Sequence, residues 1–141
     1  MCYNLFMVRF NEIMSVERAK NLNAVVLAFV GDAVQSLYVR ESLVFSSDFK
    51  TGMLQKLASM QVSAKGQAKQ YAKISDLLTE AEREIFMRAR NAKKPTKSKN
   101  ADVAEYNIST GFEAVLGFLY LTGQYERIAE LLTAEGGQNE D

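Results

Sequence analysis

Two carboxylates stand in apolar company: Asp32 within LAFVGDAVQSLYV (27–39) and Glu113 within TGFEAVLGFLYLTG (110–123). An ionised carboxylate in such surroundings is costly unless something compensates it, so a pair of them suggests a site that a cation fills. The two segments share a frame, Gly-Asp-Ala-Val at 31–34 and Phe-Glu-Ala-Val at 112–115, each an acid followed by a long apolar face. A plainer reading is also open, in which each acid lies at a helix edge or is satisfied by a nearby Lys, Arg or Tyr.

The chain contains no histidine. That removes the commonest general base and the usual zinc ligand, and excludes Ser-His and Cys-His nucleophilic mechanisms. The single cysteine, Cys2, can form neither an internal disulfide nor a Cys-rich zinc site. Oxygen ligation remains, and it suits hard cations such as magnesium or manganese.

Lys and Arg balance Asp and Glu, 17 against 17, but unevenly along the chain. From Lys50 to Asn100 there are twelve cations against four acids, and the remainder holds five against thirteen. RARNAKKPTKSK (88–99) carries six cations, no acid and the only proline, Pro95. It reads as an exposed basic loop, either a ligand-binding element or simply a solvated one.

The elements that must position these groups are helical, because apolar residues recur at helical spacing rather than by strict alternation. The fold expected is all-α. A first long helix spans Leu22 to Leu43. A second spans Thr51 to Ile74 with a break near Val62-Ser63, and a third, capped by Ser75 or Asp76, runs through LLTEAEREIFMRAR. A fourth begins between Asn100 and Ser109 and ends at Thr122-Gly123; a last one spans Gln124 to Ala134. The fourth is apolar almost all round, so part of it is a candidate contact with a second chain. Gly31 and Gly117 fall mid-helix, where glycine costs about 1 kcal/mol relative to alanine; a close helix crossing would explain both.

The 141 residues suit one domain with a real core, expected over 22–135. Residues 1–21 are expected to form an extension and first turn, and 136–141 a frayed tail. The start has neither a basic opening nor a clean apolar run, so no signal peptide is expected, and no stretch is apolar enough to span a bilayer. The expectation is a cytoplasmic protein without a membrane partner.

Four blocks, GDAVQSLYVRESL (31–43), QVSAKGQA (61–68), RARNAK (88–93) and STGFEAVLGFLYLTGQ (109–124), resemble Mini-ribonuclease III in order and spacing. This is the compact branch of the ribonuclease III nucleases, without the double-stranded-RNA-binding domain. The resemblance covers about Leu22 to Leu132. It implies a homodimeric, magnesium-dependent endoribonuclease with a ribonuclease III-like helical fold, in which manganese is a possible substitute. It also implies cleavage of double-stranded RNA, with the large-subunit (23S) ribosomal RNA precursor as substrate and a ribosomal protein as possible helper. By position Asp32 and Glu113 match the family's catalytic metal ligands. Places that hold further acids in full-length ribonuclease III carry Val25, Ala28 and Thr110 here, leaving one or two metals per site open. Lys65, Arg88, Arg90, Lys93, Lys94, Lys97 and Lys99 are the candidate contacts to the RNA backbone, since duplex RNA is read mainly by shape and phosphate. The alternative is a non-catalytic helical RNA-binding or ribosome-associated module.

Overall fold

The computed structural model describes residues 9–94 and 102–136. Cys2, Pro95, Lys97, Lys99 and the 137–141 tail lie outside them. The elements are α1 (Val16–Lys20), α2 (Ala24–Ser46), α3 (Thr51–Val62), α4 (Ala64–Ile74), a 3-10 turn (Ser75–Leu77), α5 (Glu80–Asn91), α6 (Val103–Leu121) and α7 (Tyr125–Thr133). No strand occurs among the described residues, and the fold is all-α as expected.

Local chemistry sets these boundaries. Asn23 Oδ1 accepts the Val25 N–H at 2.7 Å and opens α2, and Asp102 Oδ1 accepts the Ala104 N–H at 2.8 Å and opens α6. The expected break near Ser63 is present: this residue is extended, ends α3 and caps α4 by accepting the Gly66 N–H at 3.0 Å. The cap of α5 differs from expectation. Ser75 and Asp76 open only the 3-10 turn, while Thr79 and Glu82 form a reciprocal capping box at the start of α5. Gly123, at φ +77°, adopts the left-handed conformation that closes α6.

α6 is the axis of the molecule. Its residues from Ser109 to Leu119, Glu113 excepted, are buried, with α2, α4 and α5 packed around it. The apolar perimeter of this helix is therefore satisfied within one chain, which corrects its reading as a contact between chains. Phe112, Val115, Leu116 and Leu119 meet Leu27, Ile85, Phe86 and Leu131 in the core, each fully buried side chain contributing roughly 2 kcal/mol. Residues 15–21 are integrated: Ser15 caps α1, and Ala19 is fully buried against the bundle. At the other end Arg127 of α7 donates two hydrogen bonds to buried Glu82 of α5, at 2.9 and 3.0 Å, and one to the Leu77 carbonyl at 2.6 Å.

The tightest contact is between α2 and α6. A Cβ at Gly31 would be driven into the Glu113 carbonyl and stand 2.8 Å from Gly117 N. One at Gly117 would be driven into the Leu27 carbonyl, 3.0 Å from Gly31 N. The helices thus cross backbone on backbone, and both mid-helix glycines have their reason. Gly31→Ala or Gly117→Ala is expected to lower stability by about 3 kcal/mol in urea denaturation, because the crossing must open. A loss below about 0.5 kcal/mol at both positions would show that the crossing yields easily.

Candidate metal centre

The crossing carries the acids. Asp32 follows Gly31 on α2, and Glu113 lies one turn before Gly117 on α6, so the step that brings the backbones together also brings the carboxylates together. Asp32 is exposed and Glu113 is partly buried. Burial pushes the Glu113 carboxyl up to about 8; a Gln67 hydrogen bond opposes this, while the charge of Asp32 and a hydrogen bond with it add to it. Without a cation, Glu113 thus retains its proton near neutral pH.

Two glutamines complete the surroundings. Gln67 of α4, 1% exposed, donates from Nε2 to Glu113 Oε2 at 3.1 Å and to Oε1 of Gln35, a residue of α2 that is 3% exposed. The sequence reading singled out neither. Gln35 lies four residues beyond Gly31 and therefore on the face of α2 turned to α6, a placement legible from helical spacing. Gln67 gave no comparable signal, because its partners come from two other helices.

The donor set fits a hard divalent cation. It offers two carboxylates backed by neutral amides rather than by cations, and among the described residues no third His, Cys, Asp or Glu joins them. Magnesium is commonly held by one or two carboxylates and keeps several waters. Ala28 is buried and apolar, and the Thr110 hydroxyl donates to the Tyr106 carbonyl at 3.0 Å, so neither adds an anionic ligand.

The expected RNA contacts divide. Lys65 is exposed on the first turn of α4, two residues before Gln67. Arg88 and Arg90 are exposed in the last turns of α5, as the helix expected through LLTEAEREIFMRAR has them, so the overlapping reading of 88–99 as one continuous loop is corrected at its start. Arg88 donates to the Lys20 carbonyl at 3.0 Å, tying α5 to the end of α1. Lys93 is exposed, whereas Lys94 folds back onto the Arg90 and Ala92 carbonyls, each at 2.8 Å, where burial lowers the pKa of its ammonium.

The Ribonuclease III domain family matches residues 25–124. Mini-ribonuclease 3 of a Thermoanaerobacter species is 43% identical over 121 residues, covering 86% of this chain and 85% of that protein. The Enterococcus faecalis protein of that name is 45% identical over 115 residues, covering 80% and 87%. A crystal structure of a Fusobacterium nucleatum protein superposes with a TM-score of 0.72 at 32% identity, covering 79% of this chain and 89% of that one.

The raised Glu113 carboxyl fixes a sign. Between its ordinary value of 4.5 and about 8, the folded chain holds a proton that the unfolded chain has released, so stability falls as pH rises through that window. In chelator, Glu113→Gln is expected to raise Tm by about 5 °C at pH 8 and by less than about 2 °C at pH 5. Equal shifts at both pH values would remove this proton from the site.

Proposed function

This chain belongs to the ribonuclease III family as an endoribonuclease of the Mini-ribonuclease 3 kind, and on that premise we propose that it cuts double-stranded RNA with magnesium held by Asp32 and Glu113. The observation that carries the reading is the α2–α6 crossing, which brings two carboxylates together with no ion pair to either among the described residues. When bound, magnesium supplies a water of lowered pKa and charge neutralisation at the phosphate. Asp32, exposed, gives access from solvent, and Glu113 anchors the site to the bundle axis. Manganese, equally suited to oxygen donors, is the expected substitute.

Lys65, Arg90 and Lys93 are proposed to meet the RNA phosphates, with Lys97 and Lys99 continuing the same charged run. Arg88 and Lys94 contribute more weakly because backbone carbonyls already engage them. The substrate proposed is the precursor of large-subunit (23S) ribosomal RNA, met in the cytoplasm, with a ribosomal protein as possible helper. Among the described residues no helix is long and apolar enough to cross a membrane. A purely RNA-binding module is the poorer reading, because a binder of polyanions gains nothing from two acids at its centre.

The working form is proposed to be a homodimer joined through α2. One face of α2 packs on α6, and the opposite face leaves Val26, Phe29 and Leu37 exposed, Phe29 by 81%. Spaced at helical intervals, they form a stripe beside Asp32 that a second copy would cover.

Cleavage of a long duplex in magnesium is expected, with at least a 100-fold loss on Glu113→Gln and none remaining in EDTA. Retained cutting by the variant would overturn the assignment. Lys65→Ala and Lys93→Ala should each reduce the slope of log affinity against log salt by about one unit; an unchanged slope would take that residue off the RNA. Sedimentation should give a dimer for the parent protein and a monomer for Phe29→Asp, and a parent monomer would end the dimer reading.

A further inference from the structure

Two glutamates, Glu82 and Glu113, are treated in opposite ways. Glu82, 4% exposed, meets Arg127, so its charge is compensated by a cation of the chain itself. Among the described residues Glu113 has no ion pair; what the fold supplies is the neutral amide of Gln67. A lysine or arginine at position 67 would compete for Glu113 with any metal. An amide donates a hydrogen bond and leaves the negative charge uncompensated.

Gln67 is also braced. Both N–H bonds of its single NH2 group are committed, one to Gln35 Oε1 and one to Glu113 Oε2, so the amide cannot swing away from the carboxylate without losing its other partner. Its backbone is held too, because α4 approaches α3 so closely at Gly66 that a Cβ there would stand 2.7 Å from the Gln61 carbonyl. A buried amide costs more than a hydrocarbon side chain unless it is hydrogen-bonded, and here the bonds that offset the cost run from Gln67 to Gln35 and to Glu113.

We propose that Gln67, braced by Gln35, is a positioning residue that fixes one carboxylate oxygen of Glu113 and so presents the other for metal. The inference rests on the metal-site reading above and adds to it a second layer, reached from a third helix. A hydrogen-bond partner of this kind orients a ligand without touching the ion, and its removal typically weakens metal affinity about 10- to 100-fold.

The test is Mn2+ binding to the RNA-free protein, followed by electron paramagnetic resonance, in the parent chain, Gln67→Met and Gln35→Met. Methionine keeps most of the volume and removes the donor. Gln67→Met is expected to weaken Mn2+ binding about tenfold and Gln35→Met about threefold. The metal concentration giving half-maximal duplex cleavage should rise by the same factors, while duplex affinity in EDTA stays unchanged. A folded Gln67→Met with parental Mn2+ affinity would overturn the proposal, since a residue that only packs would lower stability and leave metal affinity alone. If Gln67→Met fails to fold, Gln35→Met decides, and parental affinity there overturns it. A parent chain that binds no Mn2+, or binds it unaltered by Glu113→Gln, would instead overturn the metal site itself and the positioning role with it.

Discussion

The backbone contact between α2 and α6 is the constraint on which the rest of the molecule depends. Helices normally pack 8–10 Å apart, separated by side chains. Here Gly31 and Gly117 remove that spacer from both partners, and each backbone lies against the other's carbonyls. Two glycines inside helices cost about 2 kcal/mol in propensity. What they permit is a site built from the sides of two rigid helices rather than from loops, which narrows the positions that the carboxylates of Asp32 and Glu113 can take. The axial position of α6 follows from the same contact: with α2 drawn so close on one side, α4 and α5 close over the remaining sides.

Glu82 and Glu113 show how one fold can use the same residue for opposite ends. At Glu82 burial works against the charge, but the hydrogen bonds from Arg127 and Thr79 outweigh it, and the carboxyl is held below its ordinary range. That glutamate is ionised at neutral pH, and through Arg127 it clips α7 and the Leu77 carbonyl to the start of α5. At Glu113 no cation answers the charge, burial dominates, and the carboxyl rises to about 8. The first arrangement is complete within the chain. The second has no cation partner among the described residues, as the proposed metal site would require.

Much of this was legible in the residues, and the gaps have physical causes. The apolar periodicity of α2 and α6, the interruption at Ser63 and the mid-helix glycines are local or pairwise signals, and the structure repeats them. The acids stood out because their neighbours are apolar. Thr79-Glu80-Ala81-Glu82 has the spacing of a capping box, yet Ser75 and Asp76 offered equally good capping side chains nearby, and propensity alone does not choose between them. Arg88 and Arg90 fall both in the helical stretch ending at 90 and in the basic run beginning at 88, and the helix prevails because Ile85, Phe86 and Ala89 carry the buried face of α5 through them. The face of α6 that looked available to another chain is covered, since periodicity reveals that a helix is buried without saying by what. Gln67 was the least accessible: its role exists only once three helices meet.

Ser63 carries a further consequence. It is at once the last residue after α3 and the cap of α4, so the two helices share a junction with no spare chain. One inserted residue would have no loop to absorb it and would shift α4 against α3. Lys65 and Gln67 would then move together away from the places they now occupy. Homologous chains should therefore vary at this junction by exchange of residue type and hardly ever by length, so that a gap there in an alignment marks either a misplaced register or a protein whose acids are held in some other way.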